Sequence, residues 1–272
     1  MLYKYSRVKW GIAILRELRL KVSPPEEFND PFEFTPATMN PLDNIEELNE
    51  YMLEQGENSS VASLQKVIPW LKTSSQAAKE FGPNMVRGDM ESLSEASKHF
   101  GVLCLSEPRA DIRMWAHYGD NHRGVAVGLD LDNEVSGIGG AVCFDKVQYL
   151  NSRPPLNPML APSEKFHEQM VKITMTKSKV WEDEREHRMI FKLEGLQKEE
   201  REQCSPRRLD YFIHIRPETI REVAMGCLIS PRDENEIRAM VKAKLPHVKL
   251  VKLKRHETEF ELVVVPAVEA LR

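Results

Sequence analysis

Three short stretches of this 272-residue chain concentrate the side chains that do chemistry. In WEDEREHR, Glu182, Asp183, Glu184, Glu186 and Arg188 stand at the entrance to an apolar run. An extended backbone sends alternate residues to one face, so Glu184, Glu186 and Arg188 would share it. Two carboxylates in unequal environments beside one cation separate the roles of acid, base and hydrogen-bond partner. A solvated strand edge with an internal ion pair would have the same residues, although Trp181 speaks against full solvation.

MWAHYGDNHRG gathers Trp115, His117, Tyr118, Asn121, His122 and Arg123 around one short helix and its exit. At about 100° per residue, Asp111, Trp115 and Tyr118 fall on one side, with Met114 and His117 adjoining. Packing alone accounts for Met114 and Trp115, but less well for His117, Tyr118 and Asn121 together. FNDPF is an Asn-Asp-Pro turn whose short polar side chains bond their own backbone. With Phe28 and Phe32 as anchors, it is either a well-fixed turn or a rigid loop that presents Asn29 or Asp30 to a ligand.

These stretches need elements to hold them. LYKY alternates like a short strand, and WGIAILRELRL has the helical spacing Ile12, Leu15, Leu18. A strand follows at Leu20–Ser23. GVLCLSE reads as a buried strand, ADIRMWAHYGDN as a short helix, and RGVAVGLDLD and AVCFDKVQYL as one strand each. FHEQMVKITMTKSKVWEDE reads as one helix and EREHRMIFKL as a strand. The C-terminal part reads β-α-β: IREVAMGCLIS, the helix DENEIRAMVKAKL, then KLVKLKRHETEFELVVV. The whole is an α/β (α+β) chain with a central mixed sheet. Residues 1–272 form a single domain, into which 41–100, rich in Glu, Asn, Ser and Gln, is inserted as helices.

Hydrophobic residues make up 41% of the chain and charged residues 29%, enough to bury a core without staples. A net charge of −4 gives no global basic field to draw the protein onto nucleic acid. The four cysteines, Cys104, Cys143, Cys204 and Cys227, are isolated, so no zinc site and no metal is expected. Cys104 and Cys227 read as small buried hydrophobes in a reducing compartment. No stretch reaches the roughly 18 apolar residues of a membrane span, so a cytoplasmic protein with no membrane partner is expected. The glycines of GIGG precede no evident helix, and no dinucleotide or Walker-type loop occurs.

LYKY, FNDPFE, LSE, MWAHYGDNHRGVAVGLD and W-x-x-E-x-E-x-R together resemble the bacterial family called domain of unknown function 2971. A more remote similarity is to ADP-ribosyltransferases. These carry one NAD-contacting residue on an early strand, a second on a strand that runs into a short helix, and a Glu at the start of a further strand. This chain has that order. The resemblance implies Tyr3 or Tyr5 at the first position, where those enzymes prefer His or Arg, and Ser106 at the second. Glu186, with Glu184 two residues before it, would match the third and carry catalysis.

On that basis NAD is the expected substrate, contacted by Tyr3, Tyr5, Asn29, Ser106, Trp115, His117 and Tyr118, with Trp115 or Tyr118 stacking on nicotinamide. The acceptor would be nucleic acid or protein, and the biological setting that of a bacterial toxin or anti-phage effector held by an antitoxin or other regulatory protein. Two other readings stand beside it: a non-catalytic sensor of a nucleotide or phage component, and a metal-dependent nuclease using Asp30, Glu184, Glu186 and His117. For the last, the carboxylates are few. Because Glu186→Gln keeps volume, it is expected to abolish activity and leave the fold intact.

Overall fold

The computed structural model describes residues 1–37, 98–132, 138–157, 164–201 and 208–267. The expected helical insertion, 41–100, lies outside these residues except for 98–100. In chain order the elements begin with β1 (Leu2–Ser6), α1 (Val8–Glu17), β2 (Arg19–Val22), β3 (Phe100–Ser106), α2 (Ile112–His117) and β4 (Val125–Leu129). There follow β5 (Ala141–Lys146), β6 (Gln148–Leu150), α3 (Glu164–Thr174), β7 (Thr176–Ser178), β8 (Glu186–Lys192) and β9 (Gln197–Glu200). The last are β10 (Leu209–His214), β11 (Ile220–Met225), α4 (Pro231–Lys244), β12 (Lys249–Arg255) and β13 (Leu262–Pro266). The mixed α/β reading therefore holds.

The chain divides into two compact units: Met1–Pro24, Phe100–Val147 and Glu182–Arg272 form the first, and Pro25–His99 and Gln148–Trp181 the second. The first is built on an eight-stranded sheet in the order β13-β12-β11-β4-β1-β3-β8-β5. Its pairs are antiparallel except β11 with β12, which α4 joins as a parallel crossover. A three-stranded sheet, β2-β10-β9, completes this unit.

Both faces of the large sheet are covered at its central strands β4 and β11, and alternation decides what each receives. Val125, Val127 and Leu129 of β4 join Val223 and Met225 of β11 and Leu103 and Leu105 of β3 in one core. Ile12 and Leu15 of α1 and Ile237 and Val241 of α4 pack there too. The intervening residues on the other face are small, Ala126 and Ala224, and lie with Tyr3, Tyr5, Met114 and Trp115. Small residues on a sheet leave depth for large rings above them.

Three expectations need correcting. AVCFDKVQYL is two strands, β5 and β6, separated at Val147, whose amide turns aside to donate to the Glu186 carbonyl. The long helix ends at Thr174, where Thr176 Oγ1 back-bonds the Lys172 carbonyl at 2.6 Å; β7 and a 3₁₀ segment, Lys179–Glu184, follow. Thr174 and Thr176 favour extended backbone and local bonds over continued helix. KLVKLKRHETEFELVVV is likewise two strands, β12 and β13, paired antiparallel.

The stretch Gly119–Gly124 is a tight turn of the first unit. Asp120, Asn121 and His122 all have left-handed backbone, φ 51, 51 and 66°. Asn, Asp and His are the non-glycine residues that tolerate this region best. Amides close the turn, His122 N to Trp115 O at 3.0 Å and Gly124 N to Gly119 O at 2.8 Å. Amides of Gly226 and Leu228 then donate to the carbonyls of Gly124 and His122, at 3.0 and 2.9 Å, tying the turn to the end of β11.

A Cβ on Gly124 would lie 2.2 Å from the Ser6 carbonyl oxygen, whereas one on Gly139 would meet nothing within 4 Å. Gly124→Ala should therefore cost at least the upper end of the about 1–3 kcal/mol of overpacking. Gly139→Ala should leave denaturant unfolding unchanged, and equal midpoints for the two variants would contradict this account.

Candidate functional site

Cross-strand pairing lines up one row of residues on the tyrosine face of the large sheet. Tyr3 of β1 lies opposite Ser106 of β3, and Ser106 opposite Glu186 of β8. On the other side Tyr3 lies opposite Gly128 of β4, Gly128 opposite Glu222 of β11, and Glu222 opposite Lys249 of β12. Directly opposed residues point to the same face. Residues from both ends and the middle of the chain thus form one polar line, buried except at its exposed end, Lys249: Tyr3 is 5% exposed, Ser106 6%, Glu186 2% and Glu222 2%.

Each charge in the line is compensated. Arg188, two residues on from Glu186 and on the same face, donates Nε to Oε1 at 2.8 Å and Nη2 to Oε2 at 3.3 Å. Glu222 accepts from Arg109 Nη1 at 3.0 Å on both oxygens and from the Tyr3 hydroxyl at 3.2 Å. Lys249 Nζ stands 3.6 Å from it. Gly128 makes this possible: a Cβ there would come within 2.9 Å of Tyr3 Cε1, so the ring crosses the bare backbone to reach Glu222. Burial and the Glu222 charge push the Tyr3 phenol up to about 12.

The segment Glu107–Asp111, between β3 and α2, runs over this face as a strap. Glu107 accepts from Lys146 at 2.8 Å and pairs with His187 at 3.0 Å, and these bonds hold its carboxyl down at about 2. The Pro108 carbonyl accepts from Tyr5 Oη at 2.6 Å, and the Arg109 carbonyl from Trp115 Nε1 at 2.8 Å. Asp111 caps α2 by accepting from Arg113 N and Met114 N at 2.9 and 3.0 Å. Trp115 is enclosed at 0% exposure, edge-on to Tyr5 with centroids 5.2 Å apart and beneath Gly119. Its ring is packing, not an open platform for nicotinamide.

The structure sorts the remaining sequence candidates. Glu184 is buried, and Tyr118 Oη donates to its Oε1 at 2.9 Å. It does not share a strand face with Glu186, because it ends the 3₁₀ segment and Arg185 between them takes φ 42°. His117 is exposed, its ring 6.3 Å from that of Tyr118. Cys104 and Cys227 are half-buried rather than buried. Burial is what raises both thiols.

In the second unit, Asp30 accepts from Phe32 N and from Trp181 Nε1, both at 2.9 Å, while Asn29 is exposed. The anchor opposite Phe28 is Phe34, with centroids 5.0 Å apart; Phe32, expected in that role, is 60% exposed. Glu33 and Lys177 form a buried pair at 3.3 Å in the same unit. The Asp30 carboxylate thus bonds its own turn through one oxygen and Trp181 through the other. Among the described residues no group of three or more His, Cys, Asp or Glu side chains is arranged to hold a metal ion. Among them, too, no helix is long and apolar enough to cross a membrane.

Arg109 and Glu222 were missed by sequence reading. The signal for Glu222 lay in IREVAM, where alternation sets an acid on the same face as the core residue Ala224. Arg109 carries no such periodic mark.

A buried acid-and-hydroxyl row on a mixed sheet, strapped by the loop that leads into a short helix, defines the class of site. Residues 114–189 match the family model described as protein of unknown function (DUF2971), so the family resemblance holds for this stretch. It takes in MWAHYGDNHRG and WEDEREHR but not Tyr3, Asn29 or Ser106. No curated protein and no solved structure matches the chain.

Two outcomes follow for the row. Glu186→Gln leaves a buried guanidinium without its counter-charge, so it should destabilise by about 3–5 kcal/mol in denaturant unfolding, contrary to the expectation of an intact fold. Tyr3 is an acid whose folded value is raised. Its contribution is therefore complete below the ordinary tyrosine value near 10 and lost as pH rises toward about 12. The alkaline limb of wild-type stability should be steeper than that of Tyr3→Phe over this window, and parallel limbs would remove the assignment.

Proposed function

We propose that the protein cleaves NAD at the nicotinamide–ribose bond and passes the ADP-ribosyl group to an acceptor or to water. The observation that supports this reading is the adjacency of Tyr3, Ser106 and Glu186 on three neighbouring strands, in the order that the resemblance to ADP-ribosyltransferases implies. Glu186 supplies the negative charge that stabilises the oxocarbenium-like transition state and holds a ribose hydroxyl. The bond electrons leave with nicotinamide. Glu184, oriented by Tyr118, takes the proton of the attacking acceptor, nucleic acid or protein. Because the row is buried, substrate enters only when the Glu107–Asp111 strap lifts. The corresponding role is that of a toxin or anti-phage effector in the cytoplasm, restrained by a regulatory protein.

A second reading, a non-catalytic nucleotide-sensing module, is favoured by the commitment of the Tyr3 and Tyr5 hydroxyls to Glu222 and Pro108. Incubation with nicotinamide-labelled NAD, alone and with cellular RNA, DNA and protein, separates the two. Wild-type protein should release nicotinamide, with or without a chelator. Folded Glu186→Asp, which keeps the charge but withdraws it by one methylene, should release it at least about 100-fold more slowly. NAD binding without release would favour the sensor. Chelator-sensitive cleavage of nucleic acid, restored by magnesium, would favour the nuclease.

A further inference from the structure

The Glu186–Arg188 pair is an unusual thing to build into a sheet. Both side chains are buried, Arg188 at 0% exposure, and a buried ion pair is commonly no more stable than two apolar residues of the same size. The arrangement therefore asks for a role other than stability. Its geometry is specific: the guanidinium engages both oxygens of the carboxylate, from the next position on the same face of the same strand. A planar fork of this kind fixes the plane of a carboxylate, which an ammonium, as a point charge, does not.

Resting on the NAD-cleavage reading, we propose that Arg188 is a positioning residue: its fork holds the Glu186 carboxylate charged and in one orientation for the reaction at the ribose. The strand geometry makes the aim rigid. Residues 186 and 188 share one face of β8, which pairs with β3 along all seven of its residues and with β5 on its other side. Arg188 thus has no rotational freedom of a loop to exploit.

The other charged and titratable groups facing the pair come from the neighbouring strands. Cys104 lies opposite Arg188 on β3, and Asp145 opposite it on β5. From β1, Lys4 donates Nζ to the Cys104 carbonyl at 3.2 Å, and burial pushes its ammonium down. The Cys104 thiol is raised by burial. Beside these groups, Arg188 engages both Glu186 oxygens through its fork, so its removal acts on the Glu186 charge first.

The experiment compares Arg188→Lys and Arg188→Met with wild type for nicotinamide release, across pH, on protein whose folded fraction is measured by circular dichroism. Arg188→Lys keeps the charge and loses the fork. Its kcat per folded molecule should fall about tenfold or more with KM for NAD unchanged, and the acid limb should stay in place. Arg188→Met, if it folds, should also move the acid limb of kcat upward by at least about one pH unit. If it does not fold, Arg188→Lys alone decides. Wild-type kcat in folded Arg188→Lys, or an unmoved acid limb in folded Arg188→Met, overturns the positioning role while leaving the NAD reading intact. Absence of nicotinamide release from wild type overturns the NAD reading, and this inference with it.

Discussion

Everything in the first unit depends on one strand having two buried faces of unequal depth. β4 is buried at each of its five residues. Toward α1 and α4 it presents Val125, Val127 and Leu129, and toward the strap only Ala126 and Gly128. The branched side supplies the non-directional burial that holds sheet to helices, at roughly 1.5–3 kcal/mol for each fully buried side chain. The small side is what allows two tyrosines and a tryptophan to pack over the sheet. Larger residues there would lift the rings and, with them, the hydroxyls and the strap.

The polar row is a consequence of that shallow face. A charged group on a sheet is tolerated where a partner of opposite sign stands within bonding distance on the same face. Glu186 finds Arg188 along its own strand, and Glu222 finds Arg109 by way of the strap. The two solutions differ in reach. The first is internal to one strand and is set as soon as β8 is extended. The second closes only when the segment after β3 is folded back, so the strap is held by the sheet through Glu222 and Tyr5 and by α2 through Trp115.

Much of this was legible in the residues, and each failure has a physical cause. Alternation marked β1, helical spacing α1, and continuous apolar runs β3 and β4, because those elements bury one face or both against a core. β9 went unread, since Gln197–Glu200 is exposed throughout and carries no apolar alternation. The pairing of Glu184 with Glu186 as face-mates failed at Arg185, whose left-handed backbone no alternation rule foresees. MWAHYGDNHRG was read as dense chemistry, but much of that density is backbone geometry. Asp120, Asn121 and His122 fit the left-handed turn, and Trp115 fills the space under Gly119. Arg188 was legible as a face-mate of Glu186; that the two are fully buried was not, because burial there is set by strands distant in sequence.

The strand order carries a cost in time. β4 is flanked by β1, made from the first residues of the chain, and by β11, made more than two hundred residues later. The left-handed turn before β4 is closed by amides of Gly226 and Leu228, which are synthesised later still. On the ribosome, β1 and β4 can meet early, but one edge of the pair stays open until β11 emerges. At about 5–20 residues per second, the roughly ninety residues between β4 and β11 correspond to several seconds of exposure. During that interval the branched face of β4 is a sticky, half-finished surface, and nascent chains on one message are each other's nearest neighbours.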